Sequence, residues 1–253
     1  MRLSLEGKVA LVTGGGIRLG RVIAQTLAAA GATVAVHHHT SHAGADETVA
    51  EIRAAGGAAE RFGADLTSEG EPERLVAEVE RGLGAVDILV NSAAGFERVD
   101  FVASANEVLD RQWALNARAP FILSREAAKG MLARGRGDIL NVLDIGGTFV
   151  PWKRYAAYCM TKAALGMLTQ CLAVELAPAI RVNGVAPGTV LPPERLSPEE
   201  LAGLRARVPM QRFGTPQEVA DAALFLLAGP QFVTGQILAV DGGRLRGTSA
   251  REP

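Results

Sequence analysis

Cysteine is almost missing from this chain. Its 253 residues include two, Cys159 and Cys171, both late in the sequence and without metal-ligand spacing. That excludes a disulfide scaffold and makes a reduced compartment, the cytoplasm, the expectation. Aromatic residues are scarce as well, 5% against 48% hydrophobic overall, so Ala, Val, Leu and Ile must form the core. A chain of this length can bury such a core without staples. Neither sign of charge dominates: 26 basic and 27 acidic residues leave a net charge of -1. A basic footprint for nucleic acid is therefore absent. No apolar run reaches the ~18 residues of a membrane-spanning helix. The opening MRLSLEGKVALVTGGG does not have the form of a signal peptide. Nucleic-acid, membrane and secreted functions are set aside, and no repeats or low-complexity blocks occur.

What is present is alternation. Short β-branched runs at Lys8–Thr13, Thr33–His37, Ala58–Gly63, Val86–Val90, Asp138–Leu143, Ile180–Val185 and Gln236–Val240 read as seven strands. Between them, Gly20–Ala30, Ala45–Ala55, Glu71–Gly82, Tyr155–Leu176 and Pro216–Ala228 read as helices. Glu107–Ala117 and Phe121–Arg134 read as two helices divided at Pro120. The order predicts one α/β domain over residues 1–253: a doubly wound (Rossmann) fold with a seven-stranded, mostly parallel sheet and helices on both faces. The proline-rich stretch 189–208 breaks the alternation and is a candidate substrate lid. Residues 244–253 read as a flexible tail.

The first strand runs into Thr13-Gly14-Gly15-Gly16-Ile17-Arg18-Leu19-Gly20 and then a helix. Glycine at Gly14 permits a sharp turn, Gly15 and Gly16 keep side chains off a ligand, and Gly20 permits close helix–strand packing. Backbone N–H groups at the helix start then face a pyrophosphate. The second strand ends His37-His38-His39-Thr40-Ser41, with no carboxylate before Asp46. A dinucleotide fold that selects NAD places an acid here for the ribose 2′-hydroxyl. Hydroxyls, imidazoles and Arg18 instead suit a 2′-phosphate, which points to NADP(H), with His39, Thr40 and Ser41 near it. His37, His39 and His42 raise a metal site, but without cysteine or a second cluster none is expected.

Tyr158 and Lys162 stand four residues apart in the long helix, on one face. A cation one turn away is expected to lower the phenol pKa and equip Tyr158 for proton transfer. The preceding fifth strand puts this pair at the carboxyl-end crevice.

With these motifs in order, the chain resembles the short-chain dehydrogenase/reductase family over nearly its whole length. The shared elements are Thr13–Gly20, Asp65-Leu66 after the third strand, Asn91-Ser92-Ala93-Ala94 after the fourth, Asn116, Tyr158-x-x-x-Lys162, Pro187-Gly188 and the closing Val240-Asp241-Gly242-Gly243. The resemblance implies that Asp65 and Leu66 meet the adenine and that Asn91, with Ser92 and Ala93, borders the cofactor and braces the sheet. It implies that Lys162 also holds the nicotinamide ribose, that Pro187 and Gly188 border the nicotinamide, and that Asn116 supports a water in a proton relay. It also implies a dimer or tetramer, with the tetramer expected.

Two departures narrow the reading. Arg18 stands where the family has a third glycine, and Asp144 where it has a serine. Both are similar to the pteridine reductases, as are Phe96 after Asn91-Ser92-Ala93-Ala94-Gly95 and Tyr155 ahead of Tyr158. The resemblance implies reduction of a dihydropterin C=N, with Tyr158 as proton donor, Asp144 as its partner, Phe96 stacking on the pterin and Arg18 bridging cofactor and substrate. The spacing from Asp144 to Tyr158 is one residue longer than the family's. The alternatives are a carbonyl reductase or alcohol dehydrogenase of the same family, and a catalytically silent NADP-binding protein.

Overall fold

The computed structural model describes residues 3–192 and 196–247. In chain order the elements are β1 (Val9–Val12), α1 (Arg18–Ala29), β2 (Thr33–His38), α2 (His42–Ala54), β3 (Ala58–Gly63), α3 (Glu71–Leu83), β4 (Ile88–Asn91), α4 (Asn106–Trp113), α5 (Ala119–Arg134), β5 (Gly137–Val142), the single turn α6 (Ile145–Thr148), α7 (Ala156–Glu175), β6 (Ile180–Pro187), α8 (Pro198–Ala206), α9 (Pro216–Ala228) and β7 (Ile237–Val240). The strands form one sheet in the order β3-β2-β1-β4-β5-β6-β7. Every pairing in it is parallel.

Strands buried on both faces favour continuous apolar runs, which is why β1 reads VALV and β4 opens ILV before Asn91, rather than alternating. One face of the sheet packs against α1, α2 and α9 through Ile23, Leu27, Ile52, Val219 and Ala223. The other packs against α3 and α5 through Leu75, Val79, Leu123, Ala127 and Met131. Each fully buried Leu or Ile here contributes roughly 1.5–3 kcal/mol. The strand order reverses between β1 and β4, so the crevice at their carboxyl ends is where the chain can hold a ligand.

The structure changes three sequence expectations. Pro120 does not divide two helices. α4 runs through a π turn at Ala114–Arg118 straight into α5, with Pro120 in the first turn of α5. Proline has no N–H to give the carbonyl one turn back, and the widened turn just ahead of it accommodates that loss. The stretch 189–208 is not all loop: α8 forms behind the capping box of Ser197 and Glu200. Pro193 of the expected lid lies outside the described residues. Finally, Arg244 does not fray. Its guanidinium donates to Thr189 Oγ1 at 2.8 Å and lies 5.7 Å from the Trp152 ring centroid. The tail beyond Gly247 lies outside the described residues.

Candidate active site

Thr13 ties the glycine turn to the end of β4. Its hydroxyl donates to the Val90 carbonyl at 3.2 Å and accepts the Ser92 and Ala93 N–H groups at 2.9 and 3.0 Å. The turn itself is pinned by His37. The Gly14 N–H donates to His37 Nδ1 at 3.0 Å, and the Gly15 N–H donates to the His37 carbonyl at 2.9 Å. With Nδ1 accepting, Nε2 carries the hydrogen and faces the Ala64 carbonyl at 3.1 Å. Burial pushes the His37 pKa down to about 4, so the ring is neutral. His37 and His38 are buried and His39 is exposed. Among the described residues no group of His, Cys, Asp or Glu could hold a metal.

The cradle fits a dinucleotide. Gly14 has φ +64°. A Cβ on Gly20 would lie 2.2 Å from the Gly14 carbonyl oxygen, so only glycine lets α1 approach. The first turn of α1 has no acidic residue, and Ile17 at its N-cap supplies no capping side chain. Its N–H groups are thus available to an anion. Arg18 opens the helix at φ +51°, a left-handed conformation that accounts for glycine being the common choice at that place. Leu19 packs against the core beside it. At the end of β2, Thr40 is exposed and Ser41 half-buried. Asp46, the first acid after them, pairs with Arg61 at 2.7 Å.

Other positions turn out differently from a simple contact list. Both Asp65 carboxylate oxygens are engaged locally, by the Thr67 N–H and hydroxyl and by the Ser68 hydroxyl at 2.7–3.0 Å. The Leu66 side chain packs into the core. Asn91 is buried inside the sheet end, where its amide donates to Asn141 Oδ1 at 2.9 Å and Ser124 Oγ at 3.2 Å. Pro187 closes β6, and Gly188 donates to the Val240 carbonyl at 2.9 Å. A Cβ on Gly188 would meet Asp241 at 2.8 Å.

The chemistry-bearing side chains converge beyond β5. Asp144 caps α6, its Oδ1 accepting the Gly146 N–H at 2.8 Å. Its Oδ2 accepts the Tyr158 hydroxyl at 3.0 Å. Tyr158, Thr161 and Lys162 lie on the buried face of α7. Lys162 Nζ donates to the Val142 carbonyl at 2.8 Å and sits 5.8 Å from the Tyr158 ring centroid. Asn116, in the π turn, is locked by Gly95, whose N–H donates to Oδ1 at 2.7 Å and whose carbonyl accepts from Nδ2 at 2.9 Å. The same amide donates to Thr161 Oγ1 at 3.1 Å, linking the π turn to α7.

The electrostatics overturn one expectation. Lys162 does not acidify the phenol. Burial first, and then the Asp144 charge, hold the Tyr158 pKa well above its usual value. Burial lifts Asp144 to about 6, against the Gly146 N–H and the Lys162 charge, which pull it down. Burial lowers Lys162 to about 8, opposed by Asp144. At neutral pH the site therefore holds a neutral phenol donating to a carboxylate, with an ammonium behind it.

An aromatic wall flanks this group. Phe96 stacks on Tyr155, centroids 4.6 Å apart and planes 16° apart, and stands edge-on to Tyr158 at 4.8 Å. Phe96 is thus partnered on one face by Tyr155 rather than free on both. Trp152, from the longer loop between Asp144 and Tyr158, stands edge-on to Phe96 at 6.2 Å and to Tyr155 at 5.9 Å. Sequence reading missed His37 as the brace of the glycine turn, Thr161 as the link to Asn116, and Arg244 beside Trp152. The one signal for His37 was its place at a strand end facing the glycines.

Comparison with known proteins agrees with this geometry. The family model described as enoyl-(acyl carrier protein) reductase matches residues 16–244. The chain is 37% identical over 251 residues to 2-(S)-hydroxypropyl-CoM dehydrogenase 3 of Xanthobacter autotrophicus, covering 94% of this chain and 97% of that one. It is 37% identical over 246 residues to the 7alpha-hydroxysteroid dehydrogenase of Escherichia coli, covering 95% of each. A candidate NAD(P)-dependent gluconate 5-dehydrogenase from Beutenbergia cavernae, solved with NADP at low occupancy, superposes with a TM-score of 0.91. It is 35% identical and covers 98% of this chain and 100% of its own. On the motifs, the fold and these relatives together, the chain belongs to the short-chain dehydrogenase/reductase family of oxidoreductases.

Proposed function

We propose that the chain is an NADP(H)-dependent oxidoreductase in which Tyr158 and Asp144 jointly handle the proton for a small substrate. The observation that carries this reading is the 3.0 Å hydrogen bond from the Tyr158 hydroxyl to Asp144, with Lys162 buried on the same helix face. The nicotinamide, when bound, supplies or accepts a hydride. In reduction, Tyr158 is the acid: its phenol is protonated throughout the working pH range and gives its proton to the substrate heteroatom. In oxidation, Asp144, with a pKa of about 6, accepts a proton directly or through the phenol. Lys162 keeps a positive charge beside the transfer, and Asn116 fixes the π turn through Gly95 and Thr161. The preference for NADP(H) is supported by Arg18, by the hydroxyls of Thr40 and Ser41, and by the diversion of Asp46 onto Arg61.

For the substrate, an alcohol–carbonyl pair is supported by the hydroxyl chemistry in the relatives' names. A dihydropterin C=N is the second reading, supported by Asp144 where the family has serine. Phe96 stacked on Tyr155 leaves one ring face for such a heterocycle. The test is NADPH and NADH oxidation with dihydrobiopterin, dihydrofolate, an acetoacetyl thioester and small oxo acids. Turnover with an oxo compound and none with the pterins supports the first reading; the reverse supports the second. No turnover with any, together with NADPH binding, returns the chain to a silent binding role. We further propose a cytoplasmic homo-oligomer, a tetramer, acting on a small molecule. Among the described residues no helix is long and apolar enough to cross a membrane.

A further inference from the structure

Arg244 leaves the end of β7 and turns back toward the active site. It donates to Thr189, the first residue of the expected lid, and its guanidinium lies over the Trp152 ring. That indole packs on Gly146, where an added Cβ would come within 2.5 Å of it. Gly146 in turn donates its N–H to Asp144. Arg244 thus lies close enough to Asp144, the partner of Tyr158, for the two charges to act on each other.

Its surroundings differ from those of the ion-paired arginines. Arg21, Arg61, Arg74, Arg111, Arg125, Arg154, Arg181 and Arg212 all pair with carboxylates at 3.1 Å or less. Arg244 pairs with none among the described residues. Two carboxylates act on its charge, and both are committed elsewhere. Asp241 accepts the Gly243 and Leu245 N–H groups at 2.9 and 2.7 Å. Asp144 accepts from Gly146 and Tyr158. A half-buried guanidinium held by one hydroxyl and one indole face still has donors in a planar fork, which matches a carboxylate bidentately.

We propose that Arg244 anchors an anionic oxygen group of the substrate, so that the molecule turned over is a hydroxy or oxo acid with its carboxylate on Arg244 and its reacting carbon at Tyr158. This rests on the oxidoreductase reading above and specifies its substrate class. The rival role for Arg244 is structural, a clamp holding the chain's end onto Trp152.

The turnover test compares phenylglyoxylate and benzoylacetate with their methyl esters in NADPH oxidation. The wild type prefers an acid over its ester by about tenfold to a hundredfold in kcat/KM, the range of a charge-assisted hydrogen bond. Arg244→Met brings that ratio close to one, and Arg244→Lys leaves it intermediate because the fork is lost. Equal rates for acid and ester in the wild type, or an unchanged ratio in Arg244→Met, overturn the proposal. A binding test stands apart from turnover. The chain has two tryptophans, so Trp113→Phe leaves Trp152 as the only indole. With NADP+ bound, benzoate quenches Trp152 and benzamide does not, and Arg244→Met abolishes the response. Equal quenching by both overturns the anchor. Arg244-dependent benzoate binding without any oxo-acid turnover keeps the anchor and rejects the hydride reading instead.

Discussion

Replacing Asp144 by Asn is expected to stabilise the fold while disabling it. The folded state holds this carboxyl at about 6 rather than 3.8, chiefly through burial. Ionising it in the folded protein therefore costs about 3 kcal/mol at neutral pH relative to the unfolded chain. The sign follows from proton counts. Between the two pKa values the folded state binds more protons, so stability attributable to this group is present at low pH and is lost as pH rises toward and through 6. Asparagine has the same shape and does not ionise: its Oδ1 accepts the Gly146 N–H, and its Nδ2 donates to the Tyr158 hydroxyl oxygen, which turns from donor to acceptor. The measurement is urea unfolding of wild type and Asp144→Asn at pH 5 and pH 7.5. The stability difference should shift by about 1.5 kcal/mol in favour of the variant over that interval. Asp138, also lifted to about 6, and His37 titrate in both proteins and cancel in the difference. A difference that is flat with pH, or that moves the other way, refutes the reasoning. Turnover in the variant should fall by about 10²-fold or more, as expected when one partner of an acid–base pair is lost.

His37→Ala should destabilise the protein by about 3 kcal/mol, since it leaves the Gly14 N–H and the Ala64 carbonyl without their partner; a loss under about 1 kcal/mol in urea unfolding would contradict the bracing role. The same variant should remove the wild type's loss of stability as pH falls from about 6.5 to 4, because the folded state resists protonating this ring. Arg18→Ala should raise the dissociation constant of NADPH about tenfold more than that of NADH, measured by fluorescence titration. Equal losses would remove Arg18 from the 2′-phosphate site. Lys162→Met should cut kcat sharply, and wild-type kcat should decline above pH of about 8 as the ammonium is lost; a rate that is level to pH 10 would argue against a charged Lys162.

The sheet was legible because both its faces are covered. Runs such as VALV at 9–12 and ILV at 88–90 have one reading, because nothing in them is polar. The glycine turn and the Tyr158–Lys162 pair were legible for a different reason: their function requires fixed spacing along one element. What escaped depends on through-space partners. The π turn at Asn116 is set by Gly95 and Thr161, residues 21 and 45 positions away. The lowered phenol pKa was expected from the nearest charge in sequence, whereas burial and Asp144 decide it in space. Phe96 was read as a free platform because Tyr155, 59 positions on in the chain, gives no sign in sequence of stacking on it. Arg244 was assigned to a tail because nothing local shows that the chain doubles back to Thr189 and Trp152.

The central claim is that Tyr158 delivers the proton that accompanies hydride transfer. It is tested most directly by Tyr158→Phe, with NADPH binding and NADPH oxidation measured on the same preparation. The account predicts a NADPH dissociation constant within about threefold of wild type and a kcat lower by about 10²–10⁴-fold, the range of general acid catalysis. A variant that binds NADPH and oxidises it at the wild-type rate would contradict it.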